Sequence, residues 1–209
     1  MENRLELTLP YFYLSRYIDS ICEKFKIDNY TVNEDGTVDV DGDVELSDKG
    51  LKKLPLKFGR VTGHFFCDRN QLTNLEGSPN YVGGGYLCHY NKLTTLEGAP
   101  NEVGGDFYCH VNNLVTLEGS PSRVGGGYYC YNNSLINLEG APKEVGYRFV
   151  CYNNPIWEVH KLFPDWKSFM DSLDWEYLRG EDIVRVRFKE ALDELNIEIP
   201  KSINGWNYI

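Results

Sequence analysis

The chain has 209 residues, 42% of them hydrophobic, with 21 Lys and Arg against 31 Asp and Glu and a formal net charge of -10. That is enough apolar material for a continuous core, and too little positive charge for a nucleic-acid binder, whose affinity rests on neutralising phosphates. With no apolar run long enough to span a bilayer and no secretory leader, the expected setting for its six cysteines is the reducing cytoplasm.

The first predicted element is an amphipathic helix over 10–27. Tyr11, Leu14, Tyr17, Ile18, Ile21, Cys22, Phe25 and Ile27 recur at three- and four-residue spacing with charged residues between. From 30 to 46 polar and apolar residues alternate around Glu34-Asp35-Gly36, which predicts a strand pair or an irregular first coil. Within it, Asp39-Val-Asp41-Gly-Asp43-Val-Glu45 has the look of a calcium loop. An EF-hand would need a glycine at position 44 and a glutamate at position 50, where this chain has Val44 and Gly50, so strand residues with solvated carboxylates are expected instead.

A repeat follows. Cys67, Cys88, Cys109, Cys130 and Cys151 recur every 21 residues, and Asn70, Asn91, Asn112, Asn133 and Asn154 each stand three positions later. Four more columns are apolar throughout: Phe65, Tyr86, Phe107, Tyr128, Phe149; Leu72, Leu93, Leu114, Leu135; Leu54, Leu75, Leu96, Leu117, Leu138; and Val61, Val82, Val103, Val124, Val145, which close the far side. A period of about 20 to 29 residues with leucines and a fixed asparagine predicts a leucine-rich-repeat solenoid, a parallel β-strand arc with extended return segments. The Gly-Ser/Ala-Pro segments (77–79, 98–100, 119–121, 140–142) form the returns, with no helix there. The asparagines are expected to hold backbone groups of neighbouring coils. The cysteines, one per repeat and about 4.8 Å apart along the stack, are expected to be buried small hydrophobes, with no metal site and no disulfide framework.

After Pro155 the composition turns aromatic, with Trp157, Phe163, Trp166, Phe169, Trp175 and Tyr177. Two helices are predicted, over 165–173 and 181–195, followed by an extended end around 197–209. The chain thus divides into a helical cap with entry strands (1–43), the repeats (44–159) and a C-terminal helical cap (160–209), because a solenoid leaves its terminal coils open.

The outward side chains point to function. One column reads Phe66, Leu87, Tyr108, Tyr129, Val150; the next Asp68, His89, His110, Tyr131, Tyr152; the third Arg69, Tyr90, Val111, Asn132, Asn153. On a leucine-rich-repeat arc these line the concave side. So many exposed rings mark an interaction site, for another protein or for self-association, while part of the pattern is cross-strand stacking that stabilises the sheet. Phe66, Asp68, Arg69, Leu87, His89, Tyr90, Tyr108, His110, Tyr129, Tyr131 and Tyr152 are the expected partner-binding residues. Three ligands in one row do not converge as a metal demands, and ladders of like side chains make poor active sites, so neither metal, cofactor nor enzymatic activity is expected. Glu76, Glu97, Glu118 and Glu139 form a second ladder, read as a solvated edge ahead of a docking stripe for a basic partner.

The run Asn91-Lys-Leu93-Thr-Thr-Leu96-Glu-Gly-Ala-Pro100-Asn-Glu-Val103 resembles the short leucine-rich repeats of bacterial effector proteins, with glutamate and glycine for the usual leucine-proline pair. The fuller pattern, L-T-x-L-E-G-x-P-x-x-V-G-G-x-F/Y-Y-C-x-x-N, is similar to leucine-rich-repeat proteins of tailed bacteriophages over 40–155. The resemblance implies a small cytoplasmic phage protein that binds a host or phage protein and brings no shared enzymatic activity. An alternative from another class is a small-ligand binder such as a sponge for a nucleotide signal, its rings stacking on bases.

Overall fold

The apolar stripe of the first segment forms helix α1 (Tyr11–Phe25). The computed structural model describes residues 11–136, 138–155, 202–203 and 206–207; the helices expected at 165–173 and 181–195 lie outside the described residues. Ile18 and Cys22 are buried, and Leu14, Ile21 and Phe25 pack against the same core. Tyr17 does not follow the stripe and is 58% exposed. The helix stops where Lys26 adopts a left-handed φ of 57° and the Ile27 amide reaches back to the Cys22 carbonyl at 2.9 Å, a standard way to satisfy last-turn carbonyls. None of the described helices is long and apolar enough to cross a membrane.

Strands β1 (Tyr30–Val32) and β2 (Val38–Val40) make the expected antiparallel pair. Gly36 takes a φ of 79° in the turn, and Asp35 accepts the Thr37 amide at 2.9 Å. From there the chain winds as a parallel-strand β-solenoid of about five turns. β3 (Val44–Glu45), β4 (Phe58–Val61), β5 (Phe65–Phe66), β6 (Tyr81–Val82), β7 (Tyr86–Leu87), β8 (Glu102–Val103), β9 (Phe107–Tyr108), β10 (Arg123–Val124), β11 (Tyr128–Tyr129), β12 (Glu144–Val145) and β13 (Phe149–Val150) alternate between two sheets. The first has the order β1-β2-β4-β6-β8-β10-β12 and the second β13-β11-β9-β7-β5-β3. The register is the sequence period itself, Tyr86 pairing with Phe107 and Val82 with Val103. Far along the chain, β14 (Ser202–Ile203) and β15 (Trp206–Asn207) form a separate antiparallel pair.

Two sheets stand where the valine column was read only as closing the far side. Each valine ends a first-sheet strand, and within four residues the chain has turned a corner and entered the second sheet. The corner is tight because backbones of successive coils touch: a Cβ on Gly104 would run into the Gly83 carbonyl oxygen, and one on Gly125 into that of Gly104. Five inward positions complete the coil. Val82, Tyr86, Cys88, Leu93 and Leu96 are fully buried, as are their counterparts Val103, Phe107, Cys109, Leu114 and Leu117. Each leucine so buried is worth about 2 kcal/mol. Burial pushes the thiols of Cys67 and Cys109 up to about 12 and those of Cys88 and Cys130 well above their ordinary value, so they act as small apolar groups.

The asparagine column is a backbone clamp. In Asn112 the side-chain oxygen accepts the Leu93 amide at 3.0 Å, and the nitrogen donates to the carbonyls of Cys88 and Cys109, each at 3.1 Å. Asn91, Asn133 and Asn154 repeat the arrangement one coil earlier and one and two coils later. The clamp holds the residue before it in the left-handed region: Arg69, Tyr90, Val111, Asn132 and Asn153 have φ between 52° and 55°. Such φ values are costly for bulky side chains, and for Val111 most of all.

The inward rings stack from Phe65 to Phe149 with centroids 5.1 to 5.5 Å apart, and their alternation of Phe and Tyr has a partner. Tyr86 and Tyr128 are buried with their hydroxyls 2.6 and 2.7 Å from those of Ser78 and Ser120. In the coils with Phe107 and Phe149, the serine position is Ala99 and Ala141. Ser and Tyr occur together, and so do Ala and Phe, because an unmatched buried hydroxyl costs about 1–3 kcal/mol whereas replacing both partners is nearly neutral. Ser120→Ala should therefore cost about 1–2 kcal/mol in urea unfolding, and Tyr128→Phe added to it should recover most of the loss. A double variant no better than the single would show that the pair is not coupled.

Candidate interaction face

The outward residues of the second sheet build one face. On β5, β7, β9 and β11, Phe66, Leu87, Tyr108 and Tyr129 are half-buried. Two residues further on stand Asp68, His89, His110, Tyr131 and Tyr152, and after them the left-handed positions, where Tyr90 is 49% exposed and Arg69 is exposed. The column begins earlier than the sequence reading had it, at Ser47, whose hydroxyl donates to Asp68 at 2.6 Å.

The rings of this face lie on one another. His89 and His110 are 4.5 Å apart, His110 and Tyr131 4.3 Å, Tyr131 and Tyr152 4.6 Å, and Tyr108 and Tyr129 4.5 Å, all within 19° of parallel. Stacking across strands aligns the ring planes across the stack axis, so the rings cover each other's faces and turn their edges outward. Asp68 and His110 are themselves only 4% and 7% exposed. They underlie the face more than they display it, an outcome that depends on the neighbouring coils and has no signal in a single repeat.

Electrostatics follow from that burial. Asp68 lies 3.7 Å from His89 Nε2 and 3.7 Å from the Arg69 guanidinium. The Nδ1 atoms of His89 and His110 are shielded without a hydrogen-bond partner. Burial holds His89 below its ordinary range against the pull of Asp68, and burial with His89 alongside brings His110 down to about 4. Both imidazoles are neutral at pH 7. Because the unfolded chain takes up these protons near pH 6.5 and the folded chain does not, their contribution to stability is full above that value and is lost as pH falls toward 4. Between pH 7 and 4.5 the wild type should lose about 2 kcal/mol more than His110→Phe, after discounting for solvent screening. Parallel pH profiles of the two proteins in urea unfolding would refute the assignment.

Residues the column reading passed over also shape the face. Asp106 accepts the Tyr108 hydroxyl at 3.0 Å and the Gly127 amide at 2.6 Å, and burial together with that bond raises the Tyr108 hydroxyl above its ordinary value. His64 accepts the Gly85 amide at 2.9 Å and stacks on Phe66. Their signal was the period: 43, 64, 85, 106, 127 and 148 form one more outward column. The carboxylates that resembled a calcium loop serve the next coil instead, Asp39 and Asp43 accepting the amides of Arg60 and His64 at 2.7 Å and Asp41 the Thr62 hydroxyl at 2.8 Å.

The outer face of the first sheet is different in kind. Arg60 lies over the Tyr81 ring at 3.8 Å, and Arg123 bridges Glu102 at 3.5 Å and Glu144 at 3.4 Å. It satisfies its own charges from coil to coil. Glu76, Glu97, Glu118 and Glu139 stand exposed along the return side.

Comparison of the chain with family models, with characterised proteins and with solved structures finds no match.

Proposed function

We propose that the chain is a non-enzymatic, protein-binding module of the leucine-rich-repeat kind that works through the outward face of its second sheet. The observation that carries this is the concentration of ring edges there, from Phe66 through Tyr108 and Tyr129 to the exposed Tyr90 and Tyr152, opposite a sheet on whose outer face Arg123 bridges two glutamates of neighbouring coils. Tyrosine edges combine apolar area with a hydroxyl at low entropic cost, which is why interfaces favour them. Following the resemblance to phage repeat proteins, we take the setting to be the host cytoplasm, and the partner to be a host or phage protein, such as a component of anti-phage defence, that is inhibited or redirected. Against catalysis, Ser47 gives its hydrogen bond to Asp68 and Cys67 points into the core with its thiol at about 12.

The test is affinity capture from host lysate followed by Tyr108→Ala with Tyr129→Ala. The double variant should keep its fold and weaken the captured complex by about 100-fold, the scale of a central pair of hot spots. Unchanged affinity would remove this face from the account. The nucleotide-sponge reading is disfavoured by the stacking, since base binding needs ring faces and these are covered by neighbours. Micromolar binding of a cyclic nucleotide in calorimetry would reverse that order.

A further inference from the structure

The outward face carries four columns across six coils, and the order of residues along each column is not arbitrary. From the first coil to the sixth they read Asp43, His64, Gly85, Asp106, Gly127, Arg148; then Glu45, Phe66, Leu87, Tyr108, Tyr129, Val150; then Ser47, Asp68, His89, His110, Tyr131, Tyr152; then Asp48, Arg69, Tyr90, Val111, Asn132, Asn153. The acidic groups gather toward the first coil and the one basic group of the leading column stands at the sixth. A partner that runs the opposite way along the same columns meets this polarity with its complement.

We propose that the face pairs with a second copy of this chain about a two-fold axis that lies in the interface parallel to the strands. This rests on the reading of the face as a protein-binding surface and names its partner. Such an axis keeps each column opposite itself and reverses the coil order, so the first coil faces the sixth. Asp43 then faces Arg148 at both ends of the contact. Phe66 faces Tyr129, Leu87 faces Tyr108 and Tyr90 faces Val111, which makes the middle apolar. His89 faces His110, both neutral, and Asp68 comes under the Tyr131 hydroxyl. Arg69 faces Asn132, Asp48 faces Asn153 and Glu45 faces Val150. No like charges are opposed in any of the four columns, and an apolar centre inside a charged rim is the usual anatomy of an interface.

Spacing adds a second reason. Both surfaces repeat at about 4.8 Å, so a register that fits at one coil fits at every other, and ring edges of one copy meet those of the other along the whole length. A partner without this repeat matches at one or two points only. Six coils at that rise and five residue steps across give about 500 Å² per copy and about 1,000 Å² in all, at the lower limit for a specific interface. The dimer should therefore be reversible, with a dissociation constant in the micromolar range.

The experiment is sedimentation equilibrium on the full chain from about 5 to 500 µM, with circular dichroism as the check on folding. The wild type should pass from one to two chain masses across this range. Asp43→Arg and Arg148→Asp should each weaken self-association at least 10-fold by opposing like charges, and an equimolar mixture of the two should regain it, since the mixed pair restores opposite charges at both ends. Because Asp43 also holds the His64 amide, Asp43→Arg could unfold the first coil; Leu87→Glu, at the centre, then takes its place and should abolish the dimer with the fold intact. A monomer at 500 µM overturns the proposal, as does a dimer indifferent to the charge reversals or to Leu87→Glu. A wild-type monomer that loses a foreign partner on Tyr108→Ala with Tyr129→Ala would overturn self-pairing and leave the broader binding face standing.

Discussion

Asn112→Asp should bring the protein to the edge of unfolding at neutral pH. The side chain is 9% exposed, and its nitrogen donates to the carbonyls of Cys88 and Cys109. A carboxylate of the same shape replaces those donations with two acceptors facing each other, in a place water does not reach. Losing charge-compatible partners at such a site costs about 4–5 kcal/mol, a large part of the 5–15 kcal/mol typical of a domain. The variant carboxyl will have a raised pKa in the folded state, so its penalty is complete above that pKa and relaxes as pH falls and the group protonates. Asn112→Ala leaves the Leu93 amide without its acceptor and should cost about 3 kcal/mol, independent of pH. Urea unfolding at pH 7 and pH 5 separates the two variants. A cost below about 1 kcal/mol for either, measured against the scale of one hydrogen bond, would mean that the clamp is not what holds the coils together.

The second large effect is at the corners. Gly125→Ala places a methyl against the Gly104 carbonyl oxygen, in a stretch where two coils touch backbone to backbone. Relief would require the coils to part, breaking the bonds from Gly125 N to the Val103 oxygen at 2.8 Å and from Gly126 N to the Gly105 oxygen at 2.9 Å. Overpacking of this kind costs about 3 kcal/mol. Gly50→Ala is the control: its φ of 67° is left-handed, yet nothing lies within 4 Å of the added carbon, so only conformational strain of about 1 kcal/mol applies. Thermal melts of both variants test the distinction. Equal losses would place the requirement for glycine in backbone angles and not in the approach of neighbouring coils.

The core was legible in the sequence because it is written five times over. Each inward position repeats an apolar residue, and the columns of Val, Phe or Tyr, Cys and Leu proved buried, with Leu138 at the end of its column only partly so. The helix and the first hairpin were legible from period and from Glu34-Asp35-Gly36. What escaped was whatever depends on a residue 21 places away. The first sheet has strands of only two residues after β4, too short for alternation to register, and they exist because amides of one coil meet carbonyls of the next. Asp39, Asp41 and Asp43 looked like cation ligands along the chain, but their partners belong to the following coil. The left-handed turn at Arg69, Tyr90 and Val111 carries no glycine to announce it. At the candidate face the columns were readable and their exposure was not. Asp68 and His110 sink beneath the surface because Ser47 below and Tyr131 above close over them.

The alternation of Ser78 with Tyr86 and Ala99 with Phe107 is matched at the next corner column, where His64 and Asp106 each cap an amide of a glycine, Gly85 or Gly127, one coil above. From the coil of His64 to that of Gly127, alternate coils are thus different parts. Loss of the single 21-residue unit that carries Asp106 would set Gly127 directly over Gly85, leaving the Gly127 amide without its cap. A change of two units returns every neighbour to its own kind. In a lineage that lengthens or trims this chain, coils should come and go in pairs, and a designer who wants a longer or shorter face should cut at the same interval.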